Sequence, residues 1–121
     1  MSDYKISLIP GDGIGKEVMP EGVRVLEAAG RKFDIQFGWK EYDWSCETFH
    51  RTGRMMPEDG IEQVSSCDAI YLGAVGYPGV PDHVSLWGLL IPIRREFNQY
   101  VNLRPVRLFH GVPCPLAGRE P

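Results

Sequence analysis

The sequence predicts an α/β fold in which a mostly parallel sheet is flanked by helices. Short apolar runs typical of buried strands alternate along the chain with stretches whose apolar residues recur at helical spacing. The turn after the first run, PGDGIGK, is rich in glycine but differs from the dinucleotide-binding pattern GxGxxG, whose third glycine would fall one residue after Gly15. We therefore expect a fold other than a GxGxxG Rossmann domain.

The first apolar run and the stretch after it predict a buried strand followed by a helix. Residues 4–9 alternate and then become continuously apolar, and the Pro-Gly pair that follows ends the strand. Apolar or small residues then recur at helical spacing and end near Gly30: Val18, Gly22, Val23, Leu26 and Ala29. Pro20 lies inside this pattern and suits a helix only in its first two turns or at a bend.

Two further strands and two short helices are predicted in the middle of the chain. Residues 35–42 alternate as a half-buried strand does, and Ser45 is a candidate N-cap for a short helix ending at Gly53. Pro57 followed by glutamate is typical of the start of another helix. Residues 68–73 are short, apolar and followed by a Gly-Ala loop, so they predict a third strand.

The last third of the chain predicts a loop, a helix and a strand. Residues 75–83 are rich in proline and glycine, as loops are. Ser85 offers an N-cap for a helix that runs to about Phe97, although Pro92 interrupts its pattern. Residues 101–108 form a strand-like apolar run and predict a fourth strand.

Composition and charge exclude several classes of function. The chain has 121 residues, enough for one domain with a core and marginal for two. Its net charge of −3 provides no basic field for nucleic acid or an anionic membrane, and no apolar run approaches the ~20 residues that span a bilayer. It shows no secretory signal, and its three cysteines have no CxxC spacing. We expect a cytoplasmic protein that binds neither nucleic acid nor membrane.

The glycine turn has two interpretations. It fails as a phosphate-binding P-loop because its first position is Pro10 and its last is Glu17. What remains is either a purely structural turn between a strand and a helix, or one whose backbone amides approach a ligand closely.

Two arginines stand in apolar surroundings in the sequence. Arg94 closes the predicted helix, and Arg104 lies within the strand-like run. An arginine in such a run must find an anionic partner or extend to solvent. Because a guanidinium group binds a carboxylate through two parallel hydrogen bonds, two arginines on one cleft would suit a small dicarboxylate. Solvated surface charges are the alternative.

Three motifs, in order and with matching spacings, resemble those of the β-decarboxylating dehydrogenases: IPGDGIGKEV, LGAVG and LLxxIRRxFxxYVNLRPV. This family includes the isopropylmalate, isocitrate, tartrate and D-malate dehydrogenases. The stretches MMPEDG, VPDHVSLWG and YVNLRPVRLFHGVPCPLAG are most similar to the tartrate and D-malate branch. The resemblance implies the N-terminal part of the isopropylmalate dehydrogenase-like fold. Residues 1–99 would belong to the large domain on the NAD cleft side, and residues 100–121 to the truncated start of the second domain.

The resemblance also implies roles for individual residues. Arg94 and Arg104 match arginines that bind the substrate carboxylates, and Trp87 takes the position that faces the variable group of the substrate. Isopropylmalate enzymes carry a glutamate there, so we expect the indole to leave room for only hydrogen or hydroxyl; a packing role is the alternative. Residues 74–90 match the segment along the nicotinamide half of NAD. The cofactor-binding residues expected are Ile14, Ala74, Val75, Gly76, Leu86 and Leu90.

The implied activity is NAD-dependent oxidation, often with decarboxylation, of tartrate or D-malate in a homodimer, assisted by Mn or Mg. The family also allows for a monovalent cation. The metal-binding aspartates and the acid/base tyrosine and lysine are expected beyond residue 121. We therefore expect no catalytic residue and no metal ligand in this chain, which would be inactive by itself.

Other functions stay open. A 3-isopropylmalate dehydrogenase is disfavoured by Trp87, and an isocitrate enzyme would need groups for a third carboxylate that are not evident. A non-catalytic module would bind a carboxylate through Arg94 and Arg104 without chemistry, and a structural subunit would complete the site of another chain.

Overall fold

The centre of the fold is a parallel sheet. The computed structural model describes residues 2–116 and 118. In this part of the chain the strands are β1 (Ser2–Gly11), β2 (Ile35–Glu41) and β3 (Ala69–Ala74). Their order is β2-β1-β3, and both neighbours run parallel to β1. The loops that follow the three strands therefore meet at one edge of the sheet, where α/β proteins commonly bind ligands.

Helices lie between and after the strands, as the sequence predicted. They are α1 (Ile14–Phe33), α2 (Cys46–Thr52), α3 (Gly60–Val64), α4 (Asp82–Ser85) and α5 (Ile91–Glu96). A π-helical turn (Leu86–Leu90) joins α4 to α5 without a break in helical backbone. The predicted α/β fold with a parallel sheet is confirmed.

The second half of strand β1 is buried because both of its faces are covered. Residues 6–9 are all buried, the pattern of a central parallel strand. Ile6 and Leu8 pack with Met19 of α1 on one face. On the other face Ile9 joins a larger cluster built mainly by the later helices and the loops around them: Tyr42, Trp44, Cys46, Met55, Val64, Val80, Leu89 and Ile93. Strand β2 alternates between half-buried and exposed residues, as predicted.

Helix α1 is longer than predicted, and its predicted apolar face is correct except at one residue. Gly22, Val23, Leu26 and Ala29 are half-buried. It continues past Gly30 to Phe33, and the next residue, Asp34, takes a left-handed conformation and donates its N–H to the Gly30 carbonyl. Val18, which the periodicity placed on the buried face, is 50% exposed, whereas Met19 is 3% exposed. The helix begins at Ile14, so Pro20 falls in its second turn, where the sequence allowed it.

The caps of α2 match the prediction. The Ser45 hydroxyl accepts a 3.1 Å hydrogen bond from the backbone N–H of Thr48, which caps the first turn. Gly53 ends the helix in a left-handed conformation with φ of 77°, where glycine carries no steric cost.

Two predictions in the last third of the chain are wrong. The helix begins at Asp82 after Pro81, and Ser85 lies inside it with its hydroxyl donating to the Asp82 carbonyl at 3.1 Å. A proline-terminated loop therefore sets this start, although the serine had the chemistry of a cap. Residues 101–108 form no strand. Their apolar side chains are largely exposed, with Val101 at 71% and Val106 at 93%, and no neighbouring strand within residues 2–116 pairs with them.

Within the residues that the structure describes, no helix is both long enough and apolar enough to cross a lipid bilayer.

Candidate functional site

The glycine turn packs tightly against the end of β3. A Cβ atom on Gly15 would lie 2.1 Å from the Pro10 carbonyl oxygen and 2.6 Å from the Ala74 nitrogen. A Cβ atom on Gly11, whose φ is +75°, would lie 2.1 Å from the Ala74 carbonyl oxygen. All three distances are far below van der Waals contact with the backbone, so these glycines allow the chain to pack closely on itself. This supports the structural interpretation of the turn.

Asp12, between those glycines, is the most connected side chain at this edge. It is 2% exposed, and its carboxylate accepts hydrogen bonds from the backbone N–H groups of Cys46 (3.0 Å), Glu47 (3.1 Å) and Gly76 (3.2 Å). Burial by itself would raise the pKa of Asp12, but the three N–H donors together with the Cys46 thiol outweigh burial and hold this pKa below its ordinary value. Asp12 is therefore a buried carboxylate that ties β1 to α2 and to the loop after β3.

Four of the six residues predicted to bind the cofactor lie at this same edge. Ile14 is the first residue of α1 and is 58% exposed, and Ala74 is the last residue of β3. The Asp12 N–H donates to the Ala74 carbonyl at 2.7 Å, which brings the glycine turn beside Val75 and Gly76. The Val75 side chain packs against the larger core cluster, whereas a Cβ atom on Gly76 would have nothing within 4 Å.

The other two predicted cofactor residues lie on the π-helical turn. Leu90 lines a cavity of about 70 Å³ together with Ile70 and Leu72 of β3 and with Arg94. Leu86 is 38% exposed. Leu90 and Arg94 are thus adjacent on one side of the helix, next to β3.

Trp87 is an exposed side chain on a distorted part of its helix. It is 59% exposed and lies in the π-helical turn, where the Ile91 N–H bonds the Leu86 carbonyl five residues back. Because a π turn is wider than an α turn, the angle between Trp87 and Arg94 differs from that of a regular helix at the same spacing. Such turns occur frequently at functional sites.

The predicted arginines have different settings. Arg94 lies in α5 and is exposed. Arg104 lies in the extended, exposed segment after α5, so the buried strand that its interpretation assumed is not there. The ion pairs among the described residues join other side chains: Lys16 with Glu47, Arg24 with Glu21, Arg51 with Asp43, and Arg54 with Glu58. None of these ion pairs among the described residues includes Arg94 or Arg104.

Sequence reasoning missed two features of this edge. One is an open depression lined by Lys16, Asp43, Glu47, His50, Arg51 and Tyr77, in which the ring of His50 packs edge-on against Tyr77. The other is a mostly apolar cavity of about 470 Å³ beside β1 and β2, with Lys16, Met19 and Trp44 among its lining residues. Neither is lined by a predicted site residue, and only the convergence of β1, α1, α2 and the loop after β2 creates them.

The described residues contain no group of three histidine, cysteine, aspartate or glutamate side chains that could hold a metal ion. The buried Asp12 carboxylate already accepts hydrogen bonds from three backbone N–H groups.

Comparison with known proteins decides the family. The family model described as isocitrate/isopropylmalate dehydrogenase matches residues 5–120. The chain belongs to this family. It is 60% identical to a decarboxylating D-malate dehydrogenase of Escherichia coli (strain K12), over 100% of this chain and 34% of that protein. It is 57% identical to a tartrate dehydrogenase/decarboxylase of Pseudomonas putida, over 97% of this chain and 33% of that protein.

The fold of this chain is also similar to that of a solved structure. The crystal structure of a beta-decarboxylating dehydrogenase from Thermococcus kodakarensis, in its apo form, superposes with a TM-score of 0.59 and 33% sequence identity. The superposition covers 80% of this chain and 27% of that one. The chain thus spans about a third of the length of the curated relatives it matches.

Proposed function

We propose that this chain is the N-terminal part of an NAD-dependent enzyme that oxidises and decarboxylates a small 2-hydroxy dicarboxylate, tartrate or D-malate. The observation that carries the proposal is the identity of 60% and 57%, along essentially the whole chain, with relatives named for those two substrates. The placement of a glycine turn, the loop after β3 and an arginine-bearing helix around β3 is compatible with it.

Arg94 is proposed to bind one substrate carboxylate. Its guanidinium is exposed beside β3 and next to Leu90, and a guanidinium fork matches a carboxylate through two parallel hydrogen bonds. Arg104 is proposed as a second carboxylate ligand. It lies ten residues further along an exposed segment, so its approach to Arg94 requires that segment to dock on the rest of the protein.

NAD is proposed to lie along the turn and loop at the end of β1 and β3. The fit rests on the exposed apolar side chain of Ile14, 58% exposed, and on the open space beside the Gly76 backbone. Bound there, NAD would supply the acceptor for a hydride from carbon 2 of the substrate. The residues of this chain would hold the substrate and NAD in place. Small displacements of positioned reactants lower the reaction rate strongly.

The family's divalent metal, Mn or Mg, has no ligand set among the described residues. From the family resemblance, the metal ligands and the groups that move protons are proposed to lie beyond residue 121. Residues 1–121 by themselves are expected to show no NAD reduction with D-malate and Mn²⁺. Turnover by this piece would contradict that placement.

Trp87 is proposed to restrict the variable group of the substrate. Its indole is 59% exposed and so is free to form one wall of a site. A wall of that bulk would admit hydrogen or hydroxyl and exclude an isopropyl group, which favours D-malate and tartrate over 3-isopropylmalate.

The proposal is tested by assaying the protein at its full encoded length against D-malate, tartrate, 3-isopropylmalate and isocitrate, each with NAD and with NADP. We expect NAD reduction and release of carbon dioxide with D-malate or tartrate. Turnover only with 3-isopropylmalate or isocitrate would overturn the substrate assignment. Binding of a dicarboxylate without any turnover would instead indicate a non-catalytic module.

A cytoplasmic homodimer is part of the same proposal, since the family resemblance implies it. Light scattering of the full-length protein should give twice the monomer mass, and a monomer at micromolar concentration would contradict the dimer.

A further inference from the structure

We propose that Asp12 is a positioning residue for NAD: its carboxylate holds the loop at residues 74–76 in the place that the cofactor requires. The inference rests on the proposed function, which assigns that loop to the cofactor. Gly76 donates its N–H to Oδ2 of Asp12 at 3.2 Å, although the two residues are 64 positions apart in the sequence.

Asp12 holds the loop from two sides. Its backbone N–H donates to the Ala74 carbonyl at 2.7 Å, and its side chain accepts from the Gly76 N–H. These two bonds bracket Val75, whose side chain packs into the larger core cluster. The backbone before the loop is also confined, since a Cβ atom on Gly73 would lie 2.2 Å from the Pro10 carbonyl oxygen. The loop therefore leaves β3 in a direction that Asp12 determines.

The arrangement requires a carboxylate. Oδ2 accepts from both Cys46 and Gly76, while Oδ1 accepts from Glu47. Besides these three backbone N–H groups, the Cys46 thiol interacts with the same carboxylate. An asparagine has one acceptor oxygen, and its NH₂ group would meet an N–H donor in either orientation. Asparagine therefore loses at least one of the three bonds and leaves an N–H group facing a donor.

A loosened start of α2 is the competing explanation for any defect at Asp12, and Ser45 provides the control. Ser45 is 1% exposed and caps the same helix, because its Oγ accepts from the Thr48 N–H. The hydrogen bonds of its hydroxyl group join it to Thr48 and not to residues 74–76. Ser45→Ala thus weakens α2 while leaving the bond between Asp12 and Gly76 in place.

The experiment compares Asp12→Asn and Ser45→Ala in the full-length protein. For each variant we would measure kcat, the KM for NAD, the KM for the dicarboxylate, and backbone hydrogen exchange by mass spectrometry. We expect Asp12→Asn to raise the KM for NAD by about tenfold or more, with a smaller change in the KM for the dicarboxylate, because a hydrogen bond to a charged group is lost. Exchange in the segment containing Gly76 should become faster in this variant. Ser45→Ala should change exchange at α2 and leave the KM for NAD within twofold of the wild type.

Equal KM values for NAD in the two variants would overturn the inference, as would unchanged exchange at Gly76 in Asp12→Asn. If the protein uses no NAD, the proposed function fails, and the exchange measurement still tests whether Asp12 holds the loop. If Asp12→Asn does not fold, Asp12→Glu replaces it, because the longer side chain keeps both oxygens but displaces them. A KM for NAD in Asp12→Glu equal to that of the wild type would then overturn the inference.

Discussion

The backbone N–H of Cys46 donates a 3.0 Å hydrogen bond to Oδ2 of Asp12, and the Cys46 thiol interacts with the same carboxylate. The two residues affect each other in opposite directions. Burial and the adjacent Asp12 raise the pKa of the Cys46 thiol to about 11, and the Cys46 N–H contributes to the lowered pKa of Asp12. Both groups are buried where β1 meets α2, so their protonation states depend on an intact fold.

The lowered pKa of Asp12 predicts a loss of stability in acid. The folded-state pKa lies below the ordinary value of 3.8, so the stabilisation is fully present above that value and is lost as pH falls through the folded-state pKa. At neutral pH, Asp12→Asn should lower the free energy of unfolding by about 1–3 kcal/mol, the range for a buried polar group left without its partner. Thermal midpoints of wild type and variant should converge as pH falls below 3.8. A constant difference from neutral pH into that range would contradict this account.

The raised pKa of Cys46 predicts an unreactive thiol. With a pKa of about 11, roughly one Cys46 thiol in a thousand is the reactive thiolate at pH 8, and the residue is also fully buried. Iodoacetamide at pH 8 should therefore leave Cys46 unmodified in the folded protein, as read by peptide mass spectrometry. The urea-unfolded protein is the control, in which all three cysteines should react. Labelling of Cys46 at the same rate in both states would refute the prediction.

The tight packing of the glycine turn predicts a steric penalty at Gly15. Gly15→Ala would place a Cβ atom 2.1 Å from the Pro10 carbonyl oxygen and 2.6 Å from the Ala74 nitrogen, and backbone must shift to admit it. We expect a loss of about 1–3 kcal/mol in the free energy of unfolding, as for other overpacked sites. Gly76→Ala is the matched control for stability, because nothing lies within 4 Å of its Cβ position. Equal thermal midpoints for the two variants would show that the backbone of the turn shifts to admit a Cβ atom without a steric penalty.

The proposed role of Arg94 predicts that its replacement lowers kcat/KM for the dicarboxylate without affecting NAD. Arg94→Lys keeps the charge but loses the planar fork, so kcat/KM for the dicarboxylate should fall about 10- to 100-fold, as expected when a charged hydrogen bond is lost. The KM for NAD should change little. Arg95→Lys is the matched control, since Arg95 is the neighbouring exposed arginine of α5. Indistinguishable kinetics for the two lysine variants would remove Arg94 from the site.

The proposed role of Trp87 predicts that its replacement changes the preference between 3-isopropylmalate and D-malate. Replacement by glutamate or alanine should shift the ratio of kcat/KM for 3-isopropylmalate to that for D-malate by about tenfold or more, the scale on which a hydrophobic wall discriminates. Trp87→Phe keeps much of the bulk and should shift this ratio less. If the ratio stays constant across all three variants, the indole has only a packing role.

Local chemistry in the sequence predicted a large part of the fold. The strands at residues 35–42 and 68–73 and the caps Ser45 and Gly53 were predicted to within a residue or so, because alternation and cap chemistry act over a few neighbouring residues. The predicted N-cap at Ser85 was wrong, because the helix already begins after Pro81. The predicted strand at residues 101–108 was wrong. A strand needs a hydrogen-bonded neighbour, and a local sequence pattern does not show whether one is present.

The sequence by itself determined the α/β order of elements, the need for glycine after β1 and the family to which the chain belongs. Only the tertiary structure decided what Asp12 does. Its partners Cys46, Glu47 and Gly76 lie 34, 35 and 64 residues away, and a backbone N–H carries no signature in the sequence. The parallel sheet brings these donors to one edge because β1 and β3 end side by side, and the buried carboxylate is stable there because all three N–H groups converge on it.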